Sequence, residues 1–307
     1  VSNKFLTKKG VIVNYLASDL LQLKKGDKMP SISEYQLKYD VARGTVQNAL
    51  NYLKTEEALK TKSSGHLGTF IEEINYAILQ EYALSEAILG TMTLPYSRLY
   101  EGMATGIYEE FKDNNIKLNL AYIRGSKERV RSITMKTYRF AVVSRFAAKR
   151  AIEQGEPIEV AVDFGNNTYL SGHVLLFANL ANDQIRDGMK VAIDYSSLDQ
   201  QMLTKDNIQD KEVTLVEMPG HQIIHSLKSQ QIDAGIWNFD EIRDKNYEDL
   251  NYVNLTENKL ATEMGASVVI CHQEDSSMKA FFAKSFQKEK VITIQEDVVR
   301  GTTIPRY

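Results

Sequence analysis

Apolar residues near the start of the chain recur at helical spacing: Val13, Leu16, Leu20 and Leu23 fall three or four apart and predict a helix over 11–23. Lys24-Lys25-Gly26 ends it, because basic side chains suit the negative end of a helix and glycine suits the left-handed cap. Ser31 and Glu34 have capping-box spacing and open a short second helix reaching about Tyr39. From Arg43 to about Thr55, Val46, Ala49, Leu50 and Leu53 form one apolar stripe, with Arg43, Thr45, Gln47, Asn48 and Asn51 opposite it. Two short helices joined at 40–42, the second polar on its outer face, read as a helix-turn-helix. Residues 58–62 and 67–72 are strand-like and flank Ser63-Ser64-Gly65-His66, so a hairpin wing is expected there.

A helical stretch over 74–89 follows, able to join domains, cover the wing or pair with its twin in a dimer. Beyond Gly90 the pattern changes. Short apolar or β-branched runs at 118–123, 140–143, 158–162, 174–177, 190–193, 213–217, 234–237 and 267–271 alternate with helical segments at 98–112, 196–203, 222–230 and 278–286. Such alternation predicts an α/β class with open, mostly parallel sheets, which bind ligands beyond the carboxyl ends of their strands. Residues 117–140 and 213–237 both run strand, small-residue turn, helix, strand, so two similar lobes with a cleft between them are expected. The layout is a winged helix over 1–73, a linker helix over 74–89 and a two-lobed domain over 90–307. Lobe one would take about 90–178 and 265–307, and lobe two about 185–262.

Composition agrees with a folded two-domain chain: of 307 residues, 43% are hydrophobic and 25% charged. The net charge of −3 is unevenly spread, for residues 1–71 hold 11 Lys and Arg against 6 Asp and Glu, while the rest holds 26 against 34. A basic first quarter on an acidic body suits contact with a polyanion at one end. No apolar run approaches the length of a membrane span, and the first ten residues lack a secretory apolar core. Cys271 is the lone cysteine and cannot form an internal disulfide, which fits a reducing, cytoplasmic setting.

The first domain resembles the GntR family of winged-helix regulators. Gly26-Asp27-Lys28-Met29-Pro30-Ser31 matches the family's G-D-x-L-P-S run, and Val41-Ala42-Arg43-Gly44-Thr45-Val46 matches its V-S-R-x-T-V segment. Gly65, Gly68, Thr69 and Phe70 fit its wing with one residue of extra spacing. The chain departs at Ala42, usually Ser or Thr, at Gln47, commonly Arg, and at Ala58, usually Gly. The resemblance implies double-stranded operator DNA as partner, with Ser31, Arg43, Gly44, Thr45, Gln47, Gly65 and His66 as candidate contacts. Arg43 can hold phosphate or guanine, Thr45 and Gln47 can reach backbone oxygens or base edges, and Gly65 and His66 can enter the minor groove. Two winged helices on a two-fold site gain affinity by linkage, so a homodimer is expected.

Leu94-Pro95-Tyr96-Ser97-Arg98-Leu99-Tyr100-Glu101-Gly102-Met103-Ala104-Thr105-Gly106 resembles the PYSxxYEGxATG signature of YhfZ-type regulators, which join a GntR-like winged helix to a two-lobed domain. That domain resembles the type II periplasmic-binding-protein fold, also used by LysR-type effector domains. A small polar metabolite, an anion being one form it could take, is the expected effector. Its candidate contacts are Tyr96, Ser97, Arg98, Gly125, Ser126, Ser144, Ser196, Ser197 and Asn238, with help from Arg145, and Glu263 near the hinge. Small polar residues at strand ends cap helix N–H groups, and the same groups also make anion sites. No cofactor or metal is expected: His221 and His225 are four apart but lack the glutamate of the zinc motif. Cys271 follows Val268-Val269-Ile270 and reads as a buried thiol, and Asp163 and Asp194 read as solvated strand-end acids. A regulator without catalysis is therefore expected, with an enzyme or a solute-binding protein on the same fold as the alternatives.

Overall fold

The computed structural model describes residues 8–84, 87–255 and 259–307, and divides them into two compact units. One comprises the segment ending at Ile88 together with Phe111–Leu118 and Glu274–Phe286; the other holds Leu89–Glu110, Asn119–Gln273 and Gln287–Tyr307.

The first unit begins with helix α1 (Lys8–Leu20), strand β1 (Lys28–Met29), helix α2 (Ile32–Tyr39) and helix α3 (Arg43–Thr55). Strands β2 (Leu59–Ser63) and β3 (Thr69–Ile74) form an antiparallel wing that β1 joins, in the order β1-β3-β2. The wing's tip is a single 3-10 turn, Gly65–Leu67, rather than an open loop, and its strands start one or two residues later than the alternation predicts. Gly68 explains the glycine there: its φ is +105°, and an added Cβ would lie 2.7 Å from Lys28 Cε. The stripe read from the sequence is the core, since Val46, Ala49, Leu50 and Leu53 are all buried with Leu16, Leu20, Tyr35 and Leu59. Truncating Leu53 to alanine in such a core costs about 2–5 kcal/mol.

Helix α4 (Tyr76–Ala83) corrects the expected linker helix of 74–89. Asn75 caps it, accepting a hydrogen bond from the Ile78 N–H, and by Ile88 the chain has entered a strand. The β-branched Ile88 and the apolar Leu89 continue a helical period by coincidence. Leu79 of α4 and Ala280, from a later helix, complete this unit's core.

The second unit carries two five-stranded sheets, apart from strand and helix ends that fall in the first. The first sheet collects β4 (Ile88–Met92), β5 (Leu118–Tyr122), β6 (Phe140–Ser144) and β7 (Ile158–Gly165), interleaved with α5 (Arg98–Asp113), α6 (Ser126–Thr134) and α7 (Arg145–Glu153). The second collects β8 (His173–Phe177), β9 (Lys190–Ile193), β10 (Thr214–Glu217), β11 (Ala234–Asn238) and β12 (Asn251–Asn254), with α8 (Leu198–Asn207), α9 (Ile223–Lys228) and α10 (Phe239–Lys245). The chain then returns through α11 (Lys259–Gly265) to β13 (Ser267–His272), which inserts in the first sheet, and ends with α12 (Ser276–Lys284) and α13 (Lys288–Arg300).

The sheet orders are β5-β4-β6-β13-β7 and β10-β9-β11-β8-β12. In the first, β13 runs antiparallel to both β6 and β7; in the second, β8 runs antiparallel to both β11 and β12. Strands β4 and β6, and β9 with β10 and β11, are parallel, as strand–helix alternation predicts. Strand β8 corrects the expected lobe boundary near 178, because it lies inside the second sheet. Val174 and Leu176 face one apolar cluster and Leu175 and Phe177 the other, and only a strand covered on both faces needs that pattern. The lobes therefore part at 166–172. There Tyr169 N–H donates to the Gly265 carbonyl (2.9 Å), so the two segments that cross between the lobes are bonded to each other.

Candidate functional site

Helix α3 presents the first candidate surface. Its N-cap, Ala42, offers no side-chain hydrogen bond to the helix start, where Arg43 is exposed. Such an uncapped helix end favours an anion. A groove of about 990 Å³ runs between α3 and the wing and brings together Ser31, Arg43, Gln47 and His66 of the expected set. Lys28, Asn48, Asn51, Lys54 and Thr69 line it too; Lys28 and Lys54 were missed because an isolated lysine carries no positional signal. Gly44 and Thr45, on α3, and Gly65, on the wing tip, fall outside this lining. Ser31 also closes a capping box. Its Oγ accepts from the Glu34 N–H (3.2 Å), while Glu34 Oε2 accepts from the Ser31 N–H (2.6 Å). Hydrogen bonds to it from the Ser31 backbone N–H and hydroxyl hold the Glu34 carboxyl below its ordinary pKa.

The second candidate site lies where the parallel strands of both lobes end. Thr93 follows β4, Arg124 and Gly125 follow β5, Asp194 follows β9 and Asn238 ends β11, and all line one cavity. The helices α6 and α8 begin at the same place, α6 after Gly125 with no side-chain cap and α8 capped by Ser197. Tyr96 meets Trp237 edge-on across the cavity, with ring centroids 5.3 Å apart, and Tyr100 meets Tyr169 likewise at 5.3 Å. The lobes touch directly: Lys127 N–H donates to the Ser196 carbonyl (3.2 Å), Leu198 N–H to Ser126 Oγ (3.2 Å) and Ser144 Oγ to Asp199 Oδ1 (2.9 Å). Gly125 makes the approach possible, because a Cβ there would sit 2.6 Å from Ser196 Oγ. The cleft is closed, with room for water centres of only about 80 Å³.

Its electrostatics are mixed. Arg129 is 2% exposed; Nη1 donates to the Ile123 carbonyl (2.7 Å) and Nη2 to Tyr169 Oη (2.8 Å), while Nε has no partner among the described residues. Asn238 Oδ1 accepts from the Asp240 N–H (2.8 Å), and its Nδ2 is likewise unpartnered. Asp194 is buried and saturated by Ser196 N–H and Oγ and by the Gly220 N–H. It is therefore no solvated strand-end acid, as the sequence suggested. Burial pushes the Asp199 carboxyl up to about 6, with the Ser144 hydrogen bond and the Arg129 charge acting against it. Desolvation pushes His173, also in the lining, down to about 4, so its ring is neutral at pH 7.

Of the expected effector contacts, Tyr96, Gly125, Ser126, Ser197 and Asn238 line this cavity. Ser97, Arg98, Ser144 and Ser196 do not. Ser97 is buried beside it with Oγ unpartnered, and Ser144 and Ser196 hold Asp199 and Asp194 in place. The Arg98 N–H reaches Asp244 of the other lobe, while its guanidinium lies near Gly301. Arg145 is taken by Asp163 (2.5 Å) and Asn166, and Glu263 pairs with Lys149 (2.6 Å). Sequence reasoning missed Arg124, Arg129, Asp199 and Trp237. His221 lines the cavity from a 3-10 turn and His225 sits in α9; among the described residues no group of three acidic, His or Cys side chains is placed to hold a metal. Cys271 is buried within β13. No described helix is long and apolar enough to cross a membrane.

Comparison with known proteins accounts for both parts of the chain. Residues 24–71 match the family described as a helix-turn-helix domain. Over 303 residues, 99% of each chain, the sequence is 27% identical to protein YhfZ of Escherichia coli strain K12. The crystal structure of YhfZ from Shigella flexneri superposes with a TM-score of 0.60 at 28% identity, covering 75% of this chain and 99% of that one. A periplasmic binding protein of Salmonella typhimurium with high arginine specificity superposes at 0.54 with 11% identity, covering 69% and 98%, which places the two lobes in the type II periplasmic-binding-protein fold. Residues 75–307 match the family described as the YhfZ C-terminal domain, and the chain belongs to that family.

Proposed function

We propose that the chain is a DNA-binding transcriptional regulator whose operator affinity is set by a small polar molecule held between the two lobes. The reading rests above all on one combination: a helix-turn-helix domain with an uncapped, arginine-bearing recognition helix, in the same chain as a cleft whose buried Arg129 and Asn238 leave donors unpartnered. Buried donors without acceptors cost about 1–3 kcal/mol each, a cost that ligand acceptors remove. The GntR-like resemblance adds Ser31, Arg43, Gly44, Thr45, Gln47, Gly65 and His66 as DNA contacts, and double-stranded operator DNA as partner. The protein works as a cytoplasmic homodimer, since a ligand can change DNA affinity only by preferring one arrangement of the two reading heads. It carries out no catalysis and needs no cofactor. That an arginine-binding protein shares the fold supports small-molecule binding in the cleft.

Selection of genomic fragments on the full chain, followed by footprinting, tests the DNA half. A protected site with two-fold symmetry, lost in Arg43→Ala, is the expected outcome. Uniform binding to all fragments, unchanged in Arg43→Ala, would overturn it.

A further inference from the structure

The cleft's charges and size narrow the class of molecule it holds. Arg124 and Arg129 share one lining with Asp194 and Asp199, and neither arginine forms an ion pair within 4 Å among the described residues. The lining is thus close to neutral, and a ligand with net charge would bury that charge uncompensated, at several kcal/mol. The positive and negative groups are also set apart in role. Arg129 Nε and Asn238 Nδ2 are buried donors lacking acceptors, and α6 begins beside them with no side-chain cap. A carboxylate satisfies all three. Asp194 is saturated, whereas among the described residues Asp199 accepts a hydrogen bond from Ser144 alone and forms no ion pair. The space open to water centres between the lobes is only about 80 Å³, which suits a compact ligand.

We propose that the cleft takes a compact zwitterion, its carboxylate against Arg124, Arg129 and the start of α6 and its ammonium against Asp199. This class is a small amino acid. An extended ligand such as arginine, named for the Salmonella protein, fits that space less well. The inference rests on the reading of the cleft as an effector site.

Calorimetric titration of the full chain at pH 7.5 with glycine, both alanine enantiomers, β-alanine, propionate, ethylamine, inorganic phosphate and L-arginine tests it. At least one small zwitterion should bind, with propionate, ethylamine and arginine each at least tenfold weaker. Arg124→Ala, at an exposed position, should weaken binding at least tenfold without moving the melting temperature, and Asp199→Asn should weaken it similarly in a variant that still melts cooperatively. Propionate or phosphate binding as tightly as the zwitterions, or arginine binding best, would overturn the class. DNA binding that responds to a fractionated cell extract but to none of these probes would also overturn it, while leaving the regulator reading intact.

Discussion

Replacing Gly125 by alanine drives a wedge between the lobes. The residue has φ 78° and ψ 133°, a region that is strained for any residue with a Cβ by about 1–3 kcal/mol. The new methyl would lie 2.7 Å from both Cβ and the carbonyl oxygen of Ser196, where ordinary contact begins at 3.4 Å, so the lobes must part by about 0.7 Å. Part of that oxygen's hydrogen bond from Lys127 N–H, and of the neighbouring bond from Leu198 N–H to Ser126 Oγ, goes with it, at about 1 kcal/mol each. The closed form is then disfavoured by about 3 kcal/mol, on the order of 100-fold. Amide hydrogen exchange reads this directly. Exchange at Lys127 and Leu198 should quicken on the order of 100-fold in Gly125→Ala, while amides of β6 and β9 keep their protection. Unchanged protection at both reporter amides would refute the account of how the lobes close.

Asp199→Asn should change the pH dependence of stability. Burial raises the folded-state pKa from 3.8 to about 6, so the folded chain binds a proton more tightly than the unfolded one. That stabilisation is complete below about pH 4 and is lost as pH rises through 6, a change of about 3 kcal/mol that asparagine abolishes; urea midpoints of both chains between pH 4 and 7 measure it. Unchanged slopes would place the proton elsewhere. Arg43→Ala should weaken specific DNA binding by about 1–3 kcal/mol in fluorescence anisotropy and leave the melting temperature alone. Ser31→Ala removes the cap of α2 and should lower unfolding free energy by about 1 kcal/mol, so any loss of DNA affinity must be judged at a temperature where the variant is folded.

The reading head was legible because its determinants are local. One stripe, Val46 to Leu53, fixes α3, and Ser31 with Glu34 fixes the start of α2. The same rule, that ligands lie beyond strand ends, pointed to Tyr96, Gly125, Ser126, Ser197 and Asn238, which line the cavity. It could not separate Ser144 and Ser196, which brace the cleft's carboxylates from behind, because both kinds of residue occupy strand ends. Arg129 and Asp199 were harder, since their partners Tyr169 and Ser144 lie far away in sequence. A signal did exist: Arg129 shares its helix face with Ile133, and Asp199 with Leu203, each four residues on. A charge on the apolar stripe of an amphipathic helix is a charge the fold intends to bury. The linker helix failed for the converse reason, a helical period continued by chance into the strand β4.

The place of β13 governs how the chain can be made. It fills the gap between β6 and β7, yet leaves the ribosome only after every strand of the second lobe. At roughly 5–20 residues per second the facing edges of β6 and β7 wait on the order of 5–20 s for it, unpaired and open to other chains. The second lobe, contiguous from β8 to β12, has no such wait and can fold first as an insert within an unfinished host. A nascent chain stalled before Ser267 is therefore not a shorter protein but an aggregation hazard, with a folded lobe hung from a sheet lacking an interior strand.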